Sequence, residues 1–320
     1  MSQTARVVQP QLSAVTKFLS RANDGCCAGD SQVSSNRDER PDQSAAGHAN
    51  VGQRDSGGPD APGQADGSQE QLAEKDVAIG TVYLVGAGPG SPDLLTLAGL
   101  RALQRADVVL YDGLIDPRLL HQAPQAAHVC VGKHGKTPIW TQEDINRRLI
   151  EEAQSGRTVV RLKGGDPAVF GRTAEELEAL VSAGIPFRVV PGVTAGLAAA
   201  SYCGIPITHR DHASAVALVT GHQSDSNARD NPLDWHALAR FPGTLVVYMG
   251  VTTAGEWSKH LIAAGKPATT PVAIVRRCTW PDQKTIRCTL GQVGEVLAPH
   301  RRFRPPAVII VGEVAGEDQR

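Results

Sequence analysis

Residues 160–172 read VRLKGGDPAVFGR, and this stretch decides how the chain folds. A β-rich run, TVVRL, passes straight into the turn Lys163-Gly164-Gly165-Asp166-Pro167, and a helical pattern carrying EELEAL opens near Thr173. Two adjacent glycines admit backbone angles closed to other residues and let a ligand approach the main chain. Pro167 fixes φ and has no N–H, so the turn is stiff as well as open. Strand, glycine turn and helix form the repeating unit of an open α/β sheet, whose ligands sit at the carboxyl ends of the strands. By itself KGGDP is equally a surface turn; its company along the chain decides between the two.

Outward from this point the same alternation continues. The patterning predicts strand 81–85, helix 94–105, strand 107–111, a short helix at 117–121 and strand 128–131. Helix 142–154, strand 158–162, helix 174–183 and strand 187–190 follow. Thr141 with Asp144 three residues on, and Gly156 beyond the end, punctuate helix 142–154. Strands alternating with helices through short connections predict a parallel sheet covered on both faces. A second set runs through strand 215–220, helix 232–240, strand 244–249, helix 254–264, strands 272–276 and 284–289, a short helix near Val293 and strand 307–311. Trp280–Gln283 reads as a hairpin between adjacent strands, which makes this second sheet mixed. The expected architecture is α/β: residues 1–78 a disordered low-complexity segment, 79–195 and 196–316 two α/β domains, and the active site in the cleft between them. Interdomain clefts are preferred ligand sites.

The composition of the 320-residue chain divides at the same place. Residues 1–78 are rich in Gly, Asp, Ser, Gln and Ala, too polar to offset the entropy of ordering. They carry 7 basic against 11 acidic residues, net −4, and the remainder carries 25 against 22, net +3. A mildly basic folded part suits an anionic small molecule and lacks the strong basic balance of a nucleic-acid binder. Six scattered cysteines, with neither CxxC nor zinc-type spacing, fit a reducing compartment, and cytoplasmic localisation without a bound metal is expected. Arg6, Lys17 and Arg21 without an acid in the first 23 residues faintly resemble an import signal, but the apolar stretch is too short for secretion. No run reaches the roughly 18 apolar residues of a membrane helix.

The first strand ends in VGAGPGSPD, residues 85–93. Three glycines and an acid, Asp112, about twenty residues on suggest a dinucleotide fingerprint. The spacing is GxGxG, however, the sixth position is Ser91, and Pro89 and Pro92 stiffen the turn; a Walker-type GK[ST] is absent. A nucleotide-like ligand fits this turn, and a nicotinamide dinucleotide does not follow from it.

Read together, VGAGPGSPDLLT (85–96), VVLYDGLI (108–115), VCVGKHG (129–135), VVRLKGGDPAVFGR (159–172), VVPGVTAGLAAASYCGIPITHRD (189–211) and VVYMG (246–250) resemble the tetrapyrrole methylase family. Within it, GIPITHRD with RLKGGDPAVFGR is most similar to the uroporphyrinogen-III C-methyltransferases, over residues 80 to about 314. Diphthine synthases, rRNA ribose methyltransferases and later corrin methylases share LVGAGPG and GGDP and remain alternatives, as does a non-enzymatic sensor of the cofactor.

The resemblance implies two methylations of uroporphyrinogen III by S-adenosylmethionine, yielding precorrin-2. It implies that Asp112 is the proton acceptor and Lys133 the proton donor. For the cofactor it implies Pro89 from the glycine turn; Gly164, Gly165, Asp166 and the backbone of Val169 around the amino-acid end; and Thr194, Ala195, Met249 and Ala307 around the adenosine. A family position that is usually glycine falls on Cys278, so this contact survives only if φ there is ordinary. The eight carboxylates of the substrate call for cationic donors; Arg161, Lys163, His209 and Arg210 are candidates beside His134, Lys136, Arg172 and His212, with the interdomain pair His209-Arg210 foremost. A homodimer with no nucleic-acid or membrane partner, and no further ordered domain ahead of residue 79, complete the expectation.

Overall fold

Local chemistry sets the helix boundaries in the computed structural model, which describes residues 78–132, 140–222, 232–301 and 303–316. Thr141 and Asp144 form the expected reciprocal cap: the Asp144 amide donates to Thr141 Oγ1 (3.1 Å) and the Thr141 amide to Asp144 Oδ2 (3.2 Å), opening helix Gln142–Gln154. Two helices start later than the periodicity predicts. Pro92–Leu94 forms its own 3-10 turn, and Thr96 then caps helix Leu97–Gln104 by accepting from the Gly99 amide. Asp234 accepts from the Ala237 amide, so the helix expected from residue 232 begins at Trp235 and ends at Arg240. In both cases a side-chain oxygen satisfies orphan N–H groups and thereby fixes the first turn.

The first sheet contains β1 (Val82–Gly86), β2 (Val108–Tyr111), β3 (Ala127–Cys130), β4 (Val159–Lys163) and β5 (Phe187–Val190), in the order β3-β2-β4-β1-β5. Every pairing in it is parallel. Their carboxyl ends therefore share one edge, and Gly86 stands opposite Lys163, Tyr111 opposite Leu162. Val85, Leu103, Val109, Leu119, Val160 and Leu162 fill the core on one face.

The second sheet runs β6 (Val216–Thr220), β7 (Thr244–Tyr248), β10 (Ala307–Val311), β8 (Pro271–Arg276) and β9 (Lys284–Thr289). β6 pairs parallel with β7 and the other pairings are antiparallel, so the sheet is mixed as expected. Trp257, Leu261, Leu245, Val272, Ile274 and Ile309 form its main core. On its other face lies the small-residue helix α4 (Ala195–Tyr202), preceded in the chain by α1 (97–104), α2 (142–154) and α3 (Thr173–Ser182). Ala198 and Ala199 pack there on Val246, Tyr248, Val275 and Val308. Both sheets belong to one compact unit, Val77–Arg320. Residues 1–77 of the expected tail, and Lys133, His134 and Lys136, lie outside the described residues.

Candidate functional site

Because β1 and β4 are neighbours, the two glycine turns that follow them meet. The Gly165 amide donates to the Gly88 carbonyl (2.8 Å) and the Gly88 amide to the Gly165 carbonyl (3.2 Å), with Gly88 at φ +77 and Gly165 at φ +70, both in the left-handed region. Such angles are open to glycine without the Cβ penalty. The main chain is packed tightly behind them: a Cβ on Gly86 would lie 2.5 Å from the Gly192 nitrogen and 2.7 Å from the Gly165 oxygen. In front, a Cβ on Gly164 would meet only Leu114, at 3.8 Å. The turn is thus closed behind and open to a ligand ahead.

What it opens onto is a cavity of about 350 Å³ between the carboxyl edge of the first sheet and the second. That lies within the roughly 300–1,000 Å³ of small-molecule sites. Pro89, Gly164, Gly165, Asp166, Val169, Thr194, Ala195, Met249, Cys278 and Ala307 all line it, and so does Asp112. The whole set expected at the cofactor, drawn from six separate chain segments, converges on one space. Asp166 turns its carboxylate to the protein, accepting from the Ala168 amide (2.7 Å) and the Gly192 amide (2.9 Å), which ties the turn to the segment after β5. Met249, in the left-handed region at φ 54, directly follows β7 and lines the cavity.

Cys278, expected to fall on a position usually held by glycine, has a backbone compatible with a side chain. Cys278 is not among the left-handed residues; its neighbours Arg277 (φ 46) and Thr279 (φ 68) carry the strain. Cys278 belongs to the buried cluster that includes Val246, Tyr248 and Val308, and burial, aided by Cys203, pushes its thiol up to about 12. The turn holding Cys278 also clasps the glycine turn of the first sheet. The Ser91 amide donates to Thr279 Oγ1 (2.8 Å) and Trp280 Nε1 to the Pro89 carbonyl (3.3 Å). The Arg277 guanidinium lies 4.2 Å from the Trp280 ring and pairs with Asp282 at 2.7 Å.

Asp112 directly follows β2 and lines the cavity. Its Oδ1 accepts from Arg161 Nη2 at 2.5 Å and its Oδ2 from the Gly164 amide at 3.3 Å. The structure places two expected substrate contacts differently. Arg161 and Lys163 alternate along β4 and so project to one side, where Glu176 of α3 takes both. Arg161 Nε lies 3.1 Å from Glu176 Oε1 and Lys163 Nζ 2.6 Å from Oε2, with Glu176 fully buried. Burial disfavours the charge on Arg161, but Asp112 and Glu176 outweigh it and hold the guanidinium above its ordinary range. Burial, and then the Arg161 charge, push the Lys163 amine down despite Glu176. Lys163 touches the cavity, but its ammonium is directed into the interior ion group. His209 and Arg210 are absent from the lining; His209 stacks on His212 with ring centres 4.7 Å apart.

Several lining residues were not legible beforehand. Tyr248 Oη bonds Thr194 Oγ1 and accepts from the Gly196 amide, both at 2.8 Å, and its ring meets Phe170 at 5.1 Å. The alternation of β7 puts Val246 and Tyr248 on one face, a signal that could have singled out the phenol. Arg277 offered none, since consecutive arginines at a strand end read as surface charge. Among the described residues no His, Cys, Asp and Glu group of three or more is placed to hold a metal ion. Nor is any described helix long and apolar enough to cross a membrane.

The family model described as Tetrapyrrole (Corrin/Porphyrin) Methylases matches residues 81–294. The siroheme synthase of Zymomonas mobilis is 51% identical over 249 residues, 77% of this chain and 51% of that protein. Siroheme synthase 1 of Yersinia pseudotuberculosis is 50% identical over 247 residues, again 77% and 51%. The chain thus spans about half the length of these curated relatives. The crystal structure of a uroporphyrin-III C-methyltransferase from Thermus thermophilus, complexed with S-adenosylhomocysteine, is 43% identical with a TM-score of 0.64, covering 74% of this chain and 99% of that one. A cobalt precorrin-4 methyltransferase structure, 30% identical with a TM-score of 0.64, covers 73% and 95%.

Proposed function

The chain belongs to the tetrapyrrole (corrin/porphyrin) methylases, and from that premise we propose that it methylates two ring carbons of uroporphyrinogen III to give precorrin-2. S-adenosylmethionine is the co-substrate and supplies, when bound, an activated methyl group. What carries the reading is the convergence of all ten residues expected at the cofactor on one cavity that Asp112 also lines. The donor being already activated, the work left to the chain is alignment, exclusion of water and movement of protons.

Each task has residues. Gly164 and Gly165 leave their main chain open for the amino-acid end of the cofactor, with Pro89 opposite. Thr194, Ala195, Met249, Cys278 and Ala307 surround the adenosine. Asp112, a carboxylate held by Arg161 and the Gly164 amide, accepts the proton that the methylated ring must lose. Lys133, outside the described residues, is the donor in this reading. The two halves, 79–195 and 196–316, act as domains of a cytoplasmic homodimer whose partner molecule is the tetrapyrrole.

Incubation of the purified chain with uroporphyrinogen III and S-adenosylmethionine, without air, is expected to yield an isobacteriochlorin-type chromophore carrying two added methyl groups by mass. Tight binding of S-adenosylhomocysteine without turnover of this substrate would overturn the assignment. Competition by uroporphyrin is expected to separate it from later corrin methylases.

A further inference from the structure

Beyond Arg161's hold on Asp112, the buried ion group has no place in the chemistry described so far. Arg161 and Lys163 sit two residues apart on β4, which lies between β2 and β1, and both reach the same carboxylate, Glu176 in the first turn of α3. Glu176 is fully buried and does not line the cavity. A carboxylate there is favoured by the amino end of its helix. Its hold on Arg161 is specific in orientation: Nε faces Glu176 at 3.1 Å, which leaves Nη2 facing Asp112 at 2.5 Å. The remaining contacts of this guanidinium, from Nη1 to the Leu110 and Leu162 carbonyls at 3.5 and 3.4 Å, are long and do not select that orientation. A planar fork bound at one edge presents its other edge in a fixed direction, which a flexible ammonium cannot do.

We infer that Glu176 is a positioning residue for methyl transfer: through the guanidinium of Arg161 it sets the direction of the Asp112 carboxylate at the cavity. This rests on Asp112 being the proton acceptor. Two carboxylates and two cations balance in formal charge, so the paired arrangement is favoured and Asp112 is held toward Arg161. Removing the Glu176 charge leaves Arg161 free to turn, and Asp112 loses the partner that aims it.

The test separates turnover from cofactor binding. Glu176→Gln keeps the shape and removes the charge. Its kcat is expected to fall about 10- to 100-fold, the scale of a misplacement near one ångström, while Kd for S-adenosylhomocysteine stays within about threefold by calorimetry. Arg161→Lys, which keeps the charge and loses the fork, is expected to behave alike and serves if Glu176→Gln does not fold. Unchanged kcat in the folded variant overturns the inference, and so does a parallel loss of kcat and cofactor affinity, which marks general loosening. Asp112→Asn is measured beside them. If it retains full turnover, the reading of Asp112 fails; if it is inactive while Glu176→Gln is fully active, only the positioning role fails.

Discussion

Tyr248→Phe removes one oxygen from the wall of the cavity and leaves the ring in place. Tyr248 is 9% exposed, and its ring contact with Phe170 does not need the hydroxyl. What goes is the shared partner of Thr194 Oγ1 and the Gly196 amide, both at 2.8 Å. Thr194 can turn its hydroxyl, but the Gly196 N–H lies in the first turn of α4 and has no partner within its own helix. Leaving a buried donor unsatisfied costs roughly 1–3 kcal/mol. At about 2–4 °C per kcal/mol for a body of this size, the midpoint of thermal unfolding should drop by roughly 4–8 °C for a cost near 2 kcal/mol. Circular dichroism melts measure this directly.

The same substitution has a pH signature. Burial raises the Tyr248 phenol above its ordinary range, with the bonds from Thr194 and Gly196 opposing. A raised folded-state value means a contribution to stability that is complete below the unfolded value of about 10 and is lost as pH rises through the folded one. The gap between wild type and Tyr248→Phe should therefore be constant at neutral pH and narrow on the alkaline side. A midpoint shift below about 1 °C at pH 7, or a gap that widens with alkali, would refute the argument.

Three further outcomes follow from the packing. Gly192→Ala would put a Cβ against the Gly165 carbonyl oxygen and 2.7 Å from Gly86 Cα, both backbone atoms; a loss of about 1–3 kcal/mol is expected in urea titrations, together with loss of S-adenosylhomocysteine binding. Thr279→Val takes away the acceptor of the Ser91 amide, and calorimetry should show affinity for S-adenosylhomocysteine reduced several-fold through release of the Pro89 loop. Cys278, with its thiol pushed up to about 12, should resist alkylation at pH 8 in the native protein and react only on unfolding, as mapped by mass spectrometry.

Element order was legible because it is written locally. Period-two and period-3.6 patterns, the Thr141–Asp144 cap and the glycine turns each act over a few residues, so the α/β alternation and the mixed second sheet could be read from the chain. That ten scattered residues share one cavity was expected through the resemblance to a family, and glycine turns at strand ends suit a ligand whichever strands are neighbours. The errors at helix starts were also local, since Thr96 and Asp234 outcompeted hydrophobic periodicity by capping.

Only the tertiary structure decided the rest. That β1 lies between β4 and β5 is set by how the crossovers pack, and this alone joins Gly88 to Gly165. Arg161 and Lys163 read as cations for an anionic substrate because sequence carries the sign of a charge but not its burial. Glu176, brought from a helix more than a dozen residues away, turned them inward. The clasp of Thr279 and Trp280 on Ser91 and Pro89 spans about 190 residues, a separation over which no local pattern survives and only complementary surfaces determine contact.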